Sequence, residues 1–187
     1  MKNQIIIFLL LIIGSAVSAQ DYNLNTTKST LKWTGKAAFN AYSLSGTLNA
    51  SSGNLMIKDK KLEKTSIIID MKSLDTENKD LKKHLRGKDF FGVKKHNKAT
   101  FRLTSPIDLS KSSTTAKGNL TIKGITKPYS FPLKIIKIGN SYKVSGTLKI
   151  NRTDFKIYYN SPNYFEGLKQ NAIADDFDLK LDLIFER

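Results

Sequence analysis

The sequence predicts an all-β protein built as an antiparallel meander of about eight strands, closed into a barrel or folded into a sandwich. Apolar and polar residues alternate along about eight separate segments, as in strands that have one buried and one solvent-exposed face. Short turn sequences such as "SSGN", "KDKK" and "KIGN" separate several of these segments. The chain contains no cysteine, so a hydrophobic core must hold it together without disulfides.

The N-terminal residues 1 to 19 have the features of a secretory signal peptide. Lys2 precedes an unbroken apolar run from Ile5 to Ile13, which is far shorter than the roughly 20 residues that span a bilayer. The sequence "VSAQ" then supplies small residues for cleavage after Ala19. We therefore expect a periplasmic or secreted protein whose mature part, residues 20–187, is one domain.

Each strand is predicted from apolar residues two positions apart, most clearly in "FDLKLDLIF" from Phe177 to Phe185. Glycines in the repeated sequences "SGTL" and "GNL" are expected where a strand bends. In chain order, the other strands are indicated by Leu31 and Trp33; Leu55 and Ile57; Ile67, Ile69 and Met71; Phe101 and Leu103; Leu120 and Ile122; Tyr129, Phe131, Leu133 and Ile135; and Tyr142, Val144, Leu148 and Ile150.

One segment, "NKDLKKHL", departs from the alternation. Leu81 and Leu85 are four residues apart, and Gly87 follows as a stop signal, so we predict a short helix around 78–86 across one end of the sheet. The next residues, Phe90 and Phe91, are expected to point back into the interior.

The formal charge of +15 raises the question of a polyanionic partner. Most lysines alternate with apolar residues, which is typical of the wet face of an antiparallel sheet, and we expect no nucleic-acid partner. One basic cluster remains as a candidate surface for docking on an anionic membrane. It comprises Lys79, Lys82, Lys83, Arg86, Lys88, Lys94, Lys95 and Lys98.

The stretch "HLRGKDFFGVKKH" holds both histidines of the chain, His84 and His96, together with Asp89. Catalysis or metal binding needs several converging groups, and this stretch does not supply them. We expect His84 to bond a backbone carbonyl and Asp89 to accept backbone N–H bonds that fix a turn. The chain also has no nucleophile elbow or phosphate loop. These observations predict no enzyme, no metal site and no cofactor.

Several longer motifs resemble the YceI family of exported polyisoprenoid-binding proteins. They are "KHLRGKDFFGVKKHNKATFRLTS", "GNLTIKGITKPYSFPLKI", "INRTDFKIYYNS" and "IADDFDLKLDLIF", in the family's order and spacing. The resemblance implies a lipocalin-like barrel with a long apolar channel for an isoprenoid chain. Two departures are Lys123, where the family often has histidine, and Asn97, where it usually has proline.

The candidate channel residues are ten aromatic side chains and one leucine, and the alternative is that they simply pack on one another as core. They are Trp33, Phe39, Tyr42, Leu85, Phe90, Phe91, Phe101, Phe131, Tyr158, Tyr164 and Phe165.

The function implied is sequestration or carriage of an isoprenoid lipid or quinone, released to a membrane or another protein. The alternative function is a basic, non-enzymatic surface or stress-related interaction module that docks on anionic membrane and has a filled core.

Overall fold

The computed structural model describes residues 19–111 and 113–187. The predicted signal peptide lies outside these residues, apart from Ala19. The strands are β1 Gln20–Leu24, β2 Thr30–Ala37, β3 Ser43–Lys58, β4 Lys61–Asp75, β5 Lys98–Leu103, β6 Ile107–Asp108, β7 Ser113–Ile122, β8 Ile125–Ile138, β9 Ser141–Asn151 and β10 Ile173–Glu186. The helix α1 is Lys79–Arg86, and 3-10 turns occupy Arg152–Phe155 and Lys169–Asn171.

Eight of the strands close into an antiparallel barrel, in the order β3-β2-β10-β9-β8-β7-β5-β4, and the pairing of β4 with β3 completes the ring. The two short strands lie outside this ring: β1 extends along β3 and β10, and β6 pairs with the start of β4. The predicted antiparallel barrel of about eight strands is confirmed, and the sandwich alternative is excluded because the ring leaves no open edge between two sheets.

Strand direction defines the two ends of the barrel. The hairpins β3–β4 and β8–β9 turn at the far end, whereas the β2–β3 loop and the long β9–β10 connection lie at the opposite end, with α1. The far end is filled by buried side chains, including Tyr22, Tyr142 and Phe185, and the Tyr22 and Tyr142 rings meet edge to face at 4.9 Å.

The helix α1 forms where the sequence predicts it. The Asn78 side chain accepts a hydrogen bond from the Leu81 N–H at 2.9 Å, which caps the first turn. The Gly87 N–H donates to the His84 carbonyl at 2.9 Å, and the helix ends there. Leu85 is its buried residue, and Leu81 packs against the core beside it. None of the helices in the described ranges is both long and apolar enough to span a membrane.

Candidate ligand-binding site

An apolar cavity of about 250 Å³ opens at the end of the barrel that carries α1. Its walls come from the inward faces of β2, β3 and β10, and α1 closes one side through Leu81 and Leu85. Trp33 and Phe177 form much of the barrel-side wall, and Phe91 meets Phe177 edge to face at 6.1 Å. The alternation of apolar and polar residues, which buries one face of these strands, therefore also supplies the apolar lining of the cavity.

A second, smaller hollow of about 60 Å³ lies deeper in the same interior. Leu48 lines both spaces, and along β10 the mouth residue Phe177 is followed inward by Leu179, Leu181, Leu183 and Phe185. From Phe177 to Phe185 this row covers about 27 Å of strand at about 3.4 Å per residue. The two hollows thus lie in series along a narrow, apolar interior.

Room for the largest mouth residue depends on a glycine across the strand pair. Trp33 lies opposite Gly46 in the β2–β3 ladder. A Cβ at Gly46 would lie 2.7 Å from the indole ring and would collide with the carbonyl oxygen of Asp75. That same carbonyl accepts a hydrogen bond from Trp33 Nε1 at 3.2 Å. The absence of a side chain at Gly46 therefore leaves room for the indole at the cavity wall.

The predicted channel residues divide into three groups. Trp33, Tyr42, Leu85, Phe90 and Phe91 line the mouth cavity. Phe101 and Phe131 line the deeper hollow and meet edge to face at 5.3 Å.

The structure places the remaining four, Phe39, Tyr158, Tyr164 and Phe165, outside both spaces. Phe39, Tyr164 and Phe165 are 69%, 53% and 50% exposed, because they belong to loops with no inward-facing period. Tyr158 stacks on Tyr164 at 4.2 Å between ring centroids.

The sequence alone did not single out Arg152, which is only 3% exposed and borders the cavity. The β10–β2 register shifts between Ile173 and Phe177, which takes the Ile173 and Ala174 carbonyls out of the regular ladder. The Arg152 guanidinium donates to both carbonyls, at 2.9 and 3.1 Å, and to the Ile157 carbonyl at 2.8 Å. Its position thus fixes the irregular start of β10 at the cavity rim.

Arg152 also carries the buried charge of the site. Its Nη2 lies 3.2 Å from Oδ1 of the buried Asp175, and Asn163 donates to the other carboxylate oxygen at 2.6 Å. Burial lowers the pKa of Arg152 from its usual value, and the negative charge of Asp175 opposes that effect. The guanidinium also lies 5.9 Å from the centre of the Phe90 ring. The charge of Arg152 is therefore matched by Asp175, and the cavity wall remains mainly apolar.

His84 and Asp89 do not make the hydrogen bonds expected from the sequence. Nε2 of His84 is buried without a hydrogen-bond partner, and the ring is held between Phe90 at 5.1 Å and Tyr159 at 4.4 Å. Asp89 is exposed, and the turn after α1 is fixed by backbone bonds such as Gly92 N–H to the Gly87 carbonyl at 2.7 Å. Within residues 19–111 and 113–187, no cluster of three or more potential metal-ligating side chains occurs.

The opposite side of α1 borders an open cleft of about 1010 Å³. We call it the basic cleft, after the lysine and arginine residues that line it: Lys72, Lys79, Lys82, Lys83, Arg86, Lys88, Lys94, Lys95 and Lys123. Of the basic cluster predicted from the sequence, only Lys98 does not line this cleft. Burial lowers the pKa of Lys123, against the opposing influence of Asp89.

Comparison with known proteins places this barrel in a family. A model of the YceI-like domain matches residues 22–185. A UPF0312 protein of Yersinia pestis is 32% identical over 155 residues, which cover 77% of this chain and 79% of the relative. A UPF0312 protein of Vibrio parahaemolyticus is 27% identical over 168 residues, 81% of this chain and 89% of the relative.

Two solved structures share the fold. BcnA of Burkholderia cenocepacia superposes with a TM-score of 0.70 at 22% identity, over 86% of this chain and 98% of its own. A polyisoprenoid-binding domain of Saccharophagus degradans, implicated in plant cell wall breakdown, gives 0.68 at 16% identity, over 88% and 97%. The domain model spans nearly all of the described barrel, and this chain belongs to the YceI-like domain family.

Proposed function

We propose that the protein binds a long apolar isoprenoid lipid in the barrel interior and shields it from water outside the cytoplasm, without catalysing a reaction. The observation that carries the proposal is the apolar cavity at the mouth, continued inward by the deeper hollow past Leu48. A slender chain suits two narrow spaces in series better than a compact ligand does. The solved polyisoprenoid-binding domain with the same fold supports this ligand class.

The energetics favour a long chain. At about 0.3 kcal/mol per heavy atom, each five-carbon unit contributes about 1.5 kcal/mol, so affinity should rise about tenfold for each unit buried. About eight units would reach nanomolar affinity. The deeper hollow of about 60 Å³ holds only a few water molecules as it stands, so a long chain must displace side chains such as Phe101 to occupy it.

The decisive experiment is extraction of the protein purified from its own host with organic solvent, followed by mass spectrometry. We expect a prenyl lipid in an amount approaching one molecule per chain. An extract without lipid, from folded protein, would contradict the proposal and favour the reading in which the interior serves only as core.

A titration with prenyl alcohols measures ligand binding separately from the retention of lipid through purification. The chain has a single tryptophan, Trp33, and this residue lines the mouth cavity, so its fluorescence should report ligand entry. Prenyl alcohols of increasing length should bind about tenfold more tightly per added unit and then level off when the interior is full. Affinity that does not depend on chain length would refute binding along the barrel axis.

Export is tested by intact mass. Protein recovered from outside the cytoplasm should begin at Gln20, because "VSAQ" offers the cleavage signal. Exported protein that still carries residues 1 to 19 would disprove the predicted processing.

A further inference from the structure

The basic cleft and the mouth cavity share one wall, residues 79–96. In α1, Leu81 and Leu85 face the cavity whereas Lys79 and Lys83 line the cleft. The segment after the helix divides in the same way, with Phe91 at the cavity and Lys94 and Lys95 at the cleft. This concentration of positive charge therefore lies beside the entrance.

Few of these charges are neutralised within the protein. In the part of the chain that the structure describes, the one ion pair in the cleft joins Lys82 to Asp75 at 2.7 Å. Arg86 is held by the Leu74 and Lys72 carbonyls at 3.0 and 2.6 Å. Lys83, Lys94 and Lys95 are left exposed to solvent and form no ion pair among the described residues. Their charge is available to an external anion.

Exposed aromatic side chains lie in two loops at the same end of the barrel. Phe39 is 69% exposed and Tyr42 is 63% exposed in the β2–β3 loop, and Tyr164 and Phe165 project from the β9–β10 connection. The two loops are joined by a hydrogen bond from the Ala38 N–H to the Ala172 carbonyl at 2.9 Å. Exposed aromatics concentrated at one end of a molecule mark an interaction surface.

We propose that this open end docks on an anionic membrane face, with the basic cleft against lipid phosphates and the loop aromatics in the membrane interface. The negative surface potential of an anionic bilayer attracts lysine side chains. Tyrosine and phenylalanine rings favour the boundary between headgroups and acyl chains. An acidic protein would match the lysines but would offer the aromatic side chains of the two loops no continuous apolar layer. Membrane docking goes beyond the proposed lipid binding, because docking does not require an occupied barrel.

The test uses vesicles of equal parts phosphatidylglycerol and phosphatidylcholine, compared with phosphatidylcholine alone. The full mature chain should sediment with the anionic vesicles and stay in solution with the neutral ones. Each lysine near an anionic bilayer contributes about 1 kcal/mol, or about fivefold in partitioning. The triple variant Lys83→Gln, Lys94→Gln, Lys95→Gln should therefore bind about 100-fold more weakly.

A matched triple variant controls for total charge. Lys58→Gln, Lys134→Gln and Lys137→Gln remove the same charge from exposed positions on β3 and β8. Because these lysines lie toward the far end, well beyond a screening length of about 10 Å from a docked bilayer, binding should fall less than about fivefold. Equal losses in the two triple variants, or equal binding to neutral and anionic vesicles, would overturn the proposal.

A reporter dye tests the orientation. The chain has no cysteine, so Phe39→Cys and Asn140→Cys each offer a single labelling position at opposite ends of the barrel. The dye at position 39 should shift to shorter wavelength on anionic vesicles, and the dye at position 140 should not. The reverse pattern, or equal shifts, would refute docking through the mouth. Lipid content measured on the same preparations keeps failure of the ligand proposal distinct from failure of docking.

Discussion

Phe91→Asp places a charge where the proposed lipid must lie. The Phe91 ring is half-buried, lines the mouth cavity and contacts Phe177. In the empty protein the new carboxylate can stay hydrated through the open mouth, so we expect a stability loss of about 2 kcal/mol from lost packing. A bound prenyl chain would strip that water away. An unpaired charge then costs several kcal/mol, and about 4 kcal/mol corresponds to about a thousandfold in affinity.

The assay combines a thermal unfolding transition with the amount of lipid extracted per chain. Phe91→Asp should fold cooperatively and carry almost no lipid. Two controls isolate the cause. Phe91→Leu keeps the wall apolar and should retain lipid, and Ile138→Asp places the same charge at a position that is 55% exposed on β8 at the far end. A folded Phe91→Asp protein with its full complement of lipid would remove this wall from the binding site.

Three further predictions concern the framework of the site. Gly46→Ala should lower the free energy of unfolding in urea by about 1–3 kcal/mol and alter the tryptophan emission, because the added methyl meets the indole. Gly35→Ala is the control: a Cβ there would have no neighbour closer than 4.0 Å, so stability should change little. Arg152→Lys keeps the charge but not the fork that bonds three carbonyls, so a loss of about 2–4 kcal/mol is expected, and an unchanged denaturation midpoint would contradict that role. The double variant His84→Ala, His96→Ala should lower the free energy of unfolding by about 1 kcal/mol per residue and leave lipid retention within a few fold. Loss of lipid from the folded variant would indicate a functional role for the histidines.

The sequence was most informative where periodicity was strong. All eight predicted strands became the eight barrel strands, and Leu81, Leu85 and Gly87 located the helix. Alternation could not reveal β1 and β6, because these strands are only five and two residues long. Near the start of β3 at Ser43, the glycine of "SGTL" was the one indication of a strand, because "SLSGTLNASSGN" has few large apolar residues and Gly46 occupies an inward position where an apolar residue would signal the strand.

The site was less predictable because an aromatic residue does not by itself reveal its direction. Trp33 belongs to an alternating strand, so its inward orientation followed from the pattern. Phe39 and Phe165 belong to loops, where no period distinguishes wall from surface, and both are exposed. The position of Arg152 at the rim depends on a register shift in a strand more than 20 residues later in the chain. A local sequence pattern carries no signal for such a contact.

The two ends of the barrel differ, because the larger apolar cavity opens beside α1 whereas buried aromatic side chains pack at the far end. With Tyr22 and Tyr142 buried against each other at the far end, a lipid of the proposed kind would enter tail first through the mouth and leave head first. Its polar end would then be the last part to enter and the first to emerge, held beside the lysines at the entrance. Under the proposed function, entry and exit of the lipid would follow the same path, and the chemistry at the entrance, rather than the depth of the interior, would decide when the lipid is exchanged.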